Sequence, residues 1–183
     1  KKIRKAGLKW LALGIENADK SIRLETSKGK FDDVDIKKVV SQIHESGINV
    51  MANYIYGLPG DNLSTIKKTF ELSKELCTLA WNTYAAMALP GSKLYKDAKE
   101  KNIKLPDSYE GFSFHSYETI NLPTEELEAA EILKLRDDHF YEYHTHSEYL
   151  EKITKNFGKD AAKNIKKMCE IKLKRRIIEE TKI

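Results

Sequence analysis

The stretch Asn49-Val50-Met51-Ala52-Asn53-Tyr54-Ile55-Tyr56-Gly57-Leu58-Pro59-Gly60-Asp61 decides the fold. Ile48, Val50 and Ala52 share one parity and are apolar, whereas Asn49, Met51, Asn53 and Ile55 share the other, which is half polar. Strand side chains alternate between faces, so this is a strand with one greasy face and one mixed face. Such a strand fits between a helix on one side and a ligand-bearing interior on the other. The turn after it needs close backbone approach at Gly57 and Gly60 and a fixed bend at Pro59.

Two similar strands flank it. Leu8 to Glu16 puts Leu11, Leu13 and Ile15 on one parity and ends in a carboxylate on the other. Trp81 to about Leu89 runs into Pro90-Gly91-Ser92. Between the first two, Asp33 or Asp35 caps a helix carrying Ile36, Val39, Val40 and Ile43, and Gly47 ends it. Between the last two, Asn62 or Ser64 starts a helix with Ile66, Phe70 and Leu76. The order strand–helix–strand–helix–strand predicts three parallel strands with crossover helices, an α/β fold. Ligands then sit at the carboxyl ends of the strands, at Glu16, at Ile55 with Gly57, and from Ala86-Met87 to Pro90.

The rest reads as helix. Lys1 to Gly7 looks like a basic helix end, and Asn17 to Lys30 like a loop or short helix. Lys93 to Lys101 is a short helix, followed by an aromatic-rich irregular segment to Pro123. Thr124 is expected to cap a long helix reaching Thr145, Tyr149 to Phe157 a short one, and Lys159 to about Glu180 the last. The expected units are residues 1–92, 93–123 and 124–183.

The chain has 183 residues, 33% charged and 40% hydrophobic, with net charge +4. That suits one soluble α/β domain with an appendage. No apolar run approaches the ~20 residues of a membrane span. Two cysteines, Cys77 and Cys169, match a reducing, cytoplasmic setting and read as small buried residues. From Glu148 onward eleven Lys/Arg face six Asp/Glu, so the positive charge lies in the tail. Without aromatics for base stacking, its last helix reads as a solvated or intersubunit face, and nucleic acid is not expected as a partner. His139, His144 and His146 are spaced five and two apart, which does not make a helical ligand pair; helix packing is expected and no metal site. The first residue is Lys1 rather than Met, and an excised piece of a longer protein is expected.

Gly14-Ile15-Glu16, Gly47-Ile48, Ile55 to Asp61, Tyr84 to Met87 and Pro90-Gly91-Ser92 together resemble the second half of a radical SAM enzyme barrel. The three strands resemble its fourth, fifth and sixth, a half of a TIM-like barrel with a helical extension behind it. His115 to Thr119, Leu122-Pro123-Thr124, Arg136-Asp137 and Lys155 to Gly158 are similar to the C-terminal extension of the cobalamin-binding-domain subgroup. The resemblance implies reductive cleavage of S-adenosylmethionine to a 5′-deoxyadenosyl radical at a [4Fe–4S] cluster, with cobalamin a further cofactor of the whole protein and an unknown small-molecule substrate. It implies that Glu16 holds the ribose hydroxyls, that Ile55, Gly57 and Leu58 sandwich the adenine, that backbone groups of Ala86 and Met87 pair with its edge, and that Lys28 reaches the cofactor carboxylate. Asn53 and His115 are expected on the substrate side. The chain lacks the family's Cys-x3-Cys-x2-Cys motif, so neither a metal ligand nor a catalytic residue is expected in it, and the missing N-terminal half becomes its partner. The alternative is a non-catalytic interaction module that oligomerises through two exposed sheet edges.

Overall fold

The structure, a computed structural model, describes residues 1–27 and 34–182. Among them three strands form one parallel sheet in the order β1 (Trp10–Glu16), β2 (Asn49–Tyr56), β3 (Ala80–Ala85). After a short α1 (Lys2–Lys5), the crossovers are α2 (Lys20–Ser27) with α3 (Ile36–Glu45), and α4 (Leu63–Leu76). The helical part follows as α5 (Lys93–Glu100), a 3-10 turn at Tyr109–Phe112, α6 (Ala129–Thr145), α7 (Ser147–Phe157), α8 (Lys159–Glu170) and α9 (Arg176–Thr181). Among the described residues no helix is long and apolar enough to cross a membrane.

The crossover helices start and stop where their sequence says. Asp35 caps α3 by accepting from the Lys38 N–H (3.0 Å); its rival Asp33 lies outside the described residues. At the other end the Ile48 N–H reaches back to the Ile43 carbonyl, with Gly47 at φ 74°, a left-handed turn that glycine takes without strain. Asn62 opens α4 with a reciprocal cap, its Oδ1 accepting from the Thr65 N–H while the Thr65 hydroxyl accepts from the Asn62 N–H.

One face of the sheet is covered. Val50, Ala52, Tyr54 and Tyr56 of β2 and Trp81 and Ala85 of β3 are buried beneath α4, α6 and α7. Trp81 stacks on Tyr143 of α6 at 5.1 Å. The other face keeps its side chains half-buried or exposed: Trp10, Ala12 and Gly14 on β1, Asn49, Met51, Asn53 and Ile55 on β2, Ala80, Asn82 and Tyr84 on β3. The two parities of β2 thus face two different environments.

Three boundaries differ most from the sequence reading. β3 ends at Ala85 rather than Leu89, because the Ala86 carbonyl turns away to accept from the Leu122 N–H and the Leu89 N–H closes a turn onto Met87. Thr124 caps a separate turn, accepting from the Leu127 N–H, and α6 starts only at Ala129 behind a Glu128–Glu131 capping box. The last expected helix breaks after Glu170 because Arg175 is pulled inward. Arg175 is 2% exposed; its Nε and Nη2 donate to the two oxygens of Asp137 (2.8 and 3.1 Å), and Nη1 donates to the Ser116 carbonyl. A continuous helix would have carried Arg175 past Asp137. Arg175 therefore leaves the solvated basic face to which it was assigned.

Asp137 also accepts from Arg136 (2.7 Å), whose Nε donates to the Thr83 carbonyl (2.8 Å). β3 is an edge strand, so α6 blunts that edge; of the two open edges expected, β1 keeps its own. Removing one partner of a buried pair leaves an uncompensated charge. Asp137→Ala is expected to lower unfolding free energy by about 3–5 kcal/mol in urea titration, with α9 losing amide protection first.

His139 packs in the core, as its aromatic surroundings suggested. It stacks on Phe70 at 3.9 Å, meets Tyr56 edge-on, and shares a 3.0 Å hydrogen bond between Nδ1 and the Tyr56 hydroxyl. Burial pushes its pKa from 6.5 down to about 4. A lowered imidazole pKa means that the unfolded chain binds the extra proton first. Its stability contribution is complete above pH 6.5 and is lost as the pH falls towards 4. Between pH 7.5 and pH 5 the protein should lose about 2 kcal/mol through this residue, and His139→Gln should flatten that part of the urea-measured pH profile.

Candidate functional site

The carboxyl ends of the three strands meet above the open face. β1 ends irregularly: its register against β2 shifts between Gly14 and Glu16, and Glu16 takes φ 64°. A left-handed conformation is uncommon for a side chain without glycine's freedom, and such strain gathers at functional sites. The twist re-aims the side chain. A Cβ on Gly14 would collide with Glu16 Oε1, so the carboxylate lies back over Gly14, on the open face of the sheet. Gly14 is therefore what Glu16 needs in order to turn inward. Among the described residues no group donates a hydrogen bond to this carboxylate, and burial raises its pKa above 4.5.

The strand ends are held by a buried polar network that the sequence reading missed. Asn17 is fully buried; its Oδ1 accepts from the Asp19 N–H (2.9 Å) and lies 3.1 Å from the Thr69 hydroxyl, which accepts from the Ala18 N–H. Asp61, 1% exposed, accepts from the Gly57 N–H (2.9 Å) and from the Thr65 hydroxyl. Burial raises the Asp61 pKa, and these two donors oppose the rise. Thr65 and Thr69, one turn apart on α4, thus fix the ends of β2 and β1. The signal was the position of Asn17 and Asp61, each just beyond a strand.

Of the residues singled out from sequence, Ile55, Leu58 and Ala86 come together, joined by Ile22 of α2. Leu58, Ala86 and Met87 are buried, and Ile55 is the accessible member. Ala86 already uses both backbone groups, its N–H on the Tyr56 carbonyl and its own carbonyl on the Leu122 N–H. Gly57 faces the other way: its φ of 78° favours glycine, and a Cβ there would sit about 3.0 Å from Ile132 of α6, so backbone conformation and helix packing account for this glycine. Lys28 lies outside the described residues. Asn53 sits mid-sheet, where Asn82 Nδ2 donates to its Oδ1 and its own Nδ2 donates to the Leu13 carbonyl (both 3.1 Å). His115 is exposed in the turn beside Phe114, which packs on Tyr84 at 4.8 Å. Partial desolvation, then the Arg136 and Arg175 cations, lower its pKa.

Along the free edge of β1 runs a cavity of about 490 Å³ between the strand and α3. Leu13, Ile15, Val39 and Val40 make it apolar, and Glu16 and Arg23 give it two polar corners. Arg23 is anchored on the Asn17 and Ala18 carbonyls, while its buried Nε has no partner among the described residues. Cys77 and Cys169 are buried thiols whose pKa values burial raises, and among the described residues no three His, Cys, Asp or Glu side chains gather as a metal site.

Compared with known proteins, the sequence matches no family model and no curated protein.

The Gly14–Glu16 arrangement can be checked alone. By 13C NMR titration, Glu16 should ionise above 4.5, and Gly14→Ala, by pushing the carboxylate into solvent, should return it towards that value.

Proposed function

We propose that this chain forms the nucleoside-facing half of a radical SAM barrel and binds S-adenosylmethionine at the carboxyl ends of its three strands. The observation that carries the reading is Glu16: a strained, half-buried carboxylate, without a hydrogen-bond donor among the described residues, turned over Gly14 at the end of a parallel strand. A carboxylate accepts hydrogen bonds from both vicinal hydroxyls of a ribose, and no described residue competes as a donor. Ile55 offers the accessible apolar surface beside it for a purine ring, and Leu58, Ala86 and Ile22 support Ile55 from behind. Arg23, whose Nε has no partner among the described residues, supplies a cation for the amino-acid end of the ligand, a role the resemblance gave to Lys28. Strand ends of a parallel sheet are where such ligands bind.

The chemistry implied is reductive cleavage of the sulfonium to a 5′-deoxyadenosyl radical, which a [4Fe–4S] cluster supplies when present. The residues here do not fit the cluster. Cys77 closes α4 and Cys169 lies in α8; each is a buried thiol disfavoured as a thiolate. The part of this chain is to bind and orient, and the cluster, and cobalamin if it is used, belong to residues outside it.

A separate observation favours a second reading, an interaction module. β1 is the terminal strand of the sheet, and the apolar cavity beside it is where an added strand would pair. The two readings are compatible where that strand is the preceding one of the same barrel.

Isothermal titration of S-adenosylmethionine into the 183-residue chain tests the first reading. Saturable binding is expected, with Glu16→Ala weakening it about ten- to a hundredfold, corresponding to ~1.5–3 kcal/mol for a charge-assisted hydrogen bond. Absence of binding to the folded protein, or equal affinity of the two proteins, refutes it.

A further inference from the structure

We propose that the open face of the sheet below Glu16 binds a substrate that is electrically neutral and presents an amide or amide-like edge to Asn82. The inference deepens the reading above, since it names the class of molecule lying beneath the nucleoside, and its test is independent of S-adenosylmethionine.

Three observations lead there. In a chain that is 33% charged, the open face carries no Lys, Arg, Asp or Glu on β2 or β3, and on β1 only the Glu16 carboxylate at its upper end. Surfaces meant only for water are rich in charge, so a neutral, accessible face points to a partner. Second, its polar centre is a pair of carboxamides. Asn53 is committed, its Nδ2 to Leu13 and its Oδ1 to Asn82. Asn82 is not: one N–H is used on Asn53, while Oδ1 and the second N–H have no partner among the described residues. An acceptor and a donor side by side complement a group offering a donor and an acceptor side by side, which is an amide, a lactam or a nucleobase edge.

Third, the walls around this pair are flat and apolar. Met51 and Ile55 flank Asn53 along β2, and Tyr84 stands two residues beyond Asn82, where Phe114 from the aromatic segment closes on it. The neighbouring His115 is held towards its neutral form by partial desolvation and by the Arg136 and Arg175 cations. A carboxylate or phosphate ligand would find no cation on the open faces of the three strands and would approach the Glu16 charge, an unfavourable pairing in a half-buried site.

Benzamide and benzoate share a shape but differ in charge and in the amide N–H, the two properties named here, and serve as probes. Titrated into the 15N-labelled chain, benzamide should shift the side-chain amide signals of Asn82 and Asn53, and benzoate should bind at least tenfold more weakly. Asn82→Ala should weaken benzamide binding about fivefold, about 1 kcal/mol for one net hydrogen bond, and leave S-adenosylmethionine affinity within twofold. Benzoate binding as well as benzamide, or benzamide shifts that bypass Asn82 and Asn53, overturns the inference. So does sedimentation showing a dimer that buries these amides. Benzamide binding without S-adenosylmethionine binding would refute the nucleoside reading and leave this one standing.

Discussion

A single carboxylate between two guanidinium groups holds the helical part onto the sheet. Asp137 lies on α6, its neighbour Arg136 reaches β3, and Arg175 reaches Asp137 from beyond α8 and goes on to the Ser116 carbonyl and the Thr119 hydroxyl. Two buried cations against one anion leave an excess positive charge, and the backbone carbonyls of Thr83 and Ser116 are what solvate it. Desolvation makes such a cluster a weak source of net stability and a strong source of specificity of arrangement. Its consequence for the site is positional. The turn that carries Phe114 and His115 is tied at Ser116 and Thr119 to the same guanidinium, so the wall closing on Tyr84 is fixed from behind.

That clamp also marks where sequence pattern stops being informative. Lys159 to Glu180 has apolar residues at helical spacing throughout, with neither Gly nor Pro to break it. The break after Glu170 is imposed by Asp137, more than thirty residues earlier in the chain, and local propensity cannot contain it. α6 shows the same limit at its start. Thr124 has the chemistry of a cap and does cap a turn, but the helix waits for Glu128. The strands and crossover helices were readable because their signals are local: alternation in β2, Asp35 and Asn62 as caps, Gly47 as a stop. The open and covered faces of the sheet also follow from parity alone.

The candidate site was legible in part, and for mixed reasons. Glu16 stood out as a carboxylate closing an apolar strand. What makes it distinctive, its left-handed backbone and the glycine two residues earlier that gives it room, is visible only in three dimensions. Gly57 teaches the opposite lesson. The sequence shows correctly that a side chain is intolerable there, yet the crowding comes from Ile132 on α6, on the face away from the strand-end surface. A required glycine identifies close approach without identifying what approaches.

The buried network beneath the strand ends explains how one short helix can fix the ends of two strands. Thr65 and Thr69 project from the same side of α4, one to Asp61 in the turn after β2, the other to Asn17 and the Ala18 N–H just after β1. Asp61 in turn holds the Gly57 N–H. The β1–β2 ladder sets the separation of Glu16 from Ile55, and Thr65 and Thr69 tie the segments that follow the two strands to one face of α4. Polar side chains are costly to bury, and an arrangement that pairs Asp61, Thr65, Thr69 and the Asn17 Oδ1 admits few alternatives. Here α4 supplies that rigidity from the covered side of the sheet.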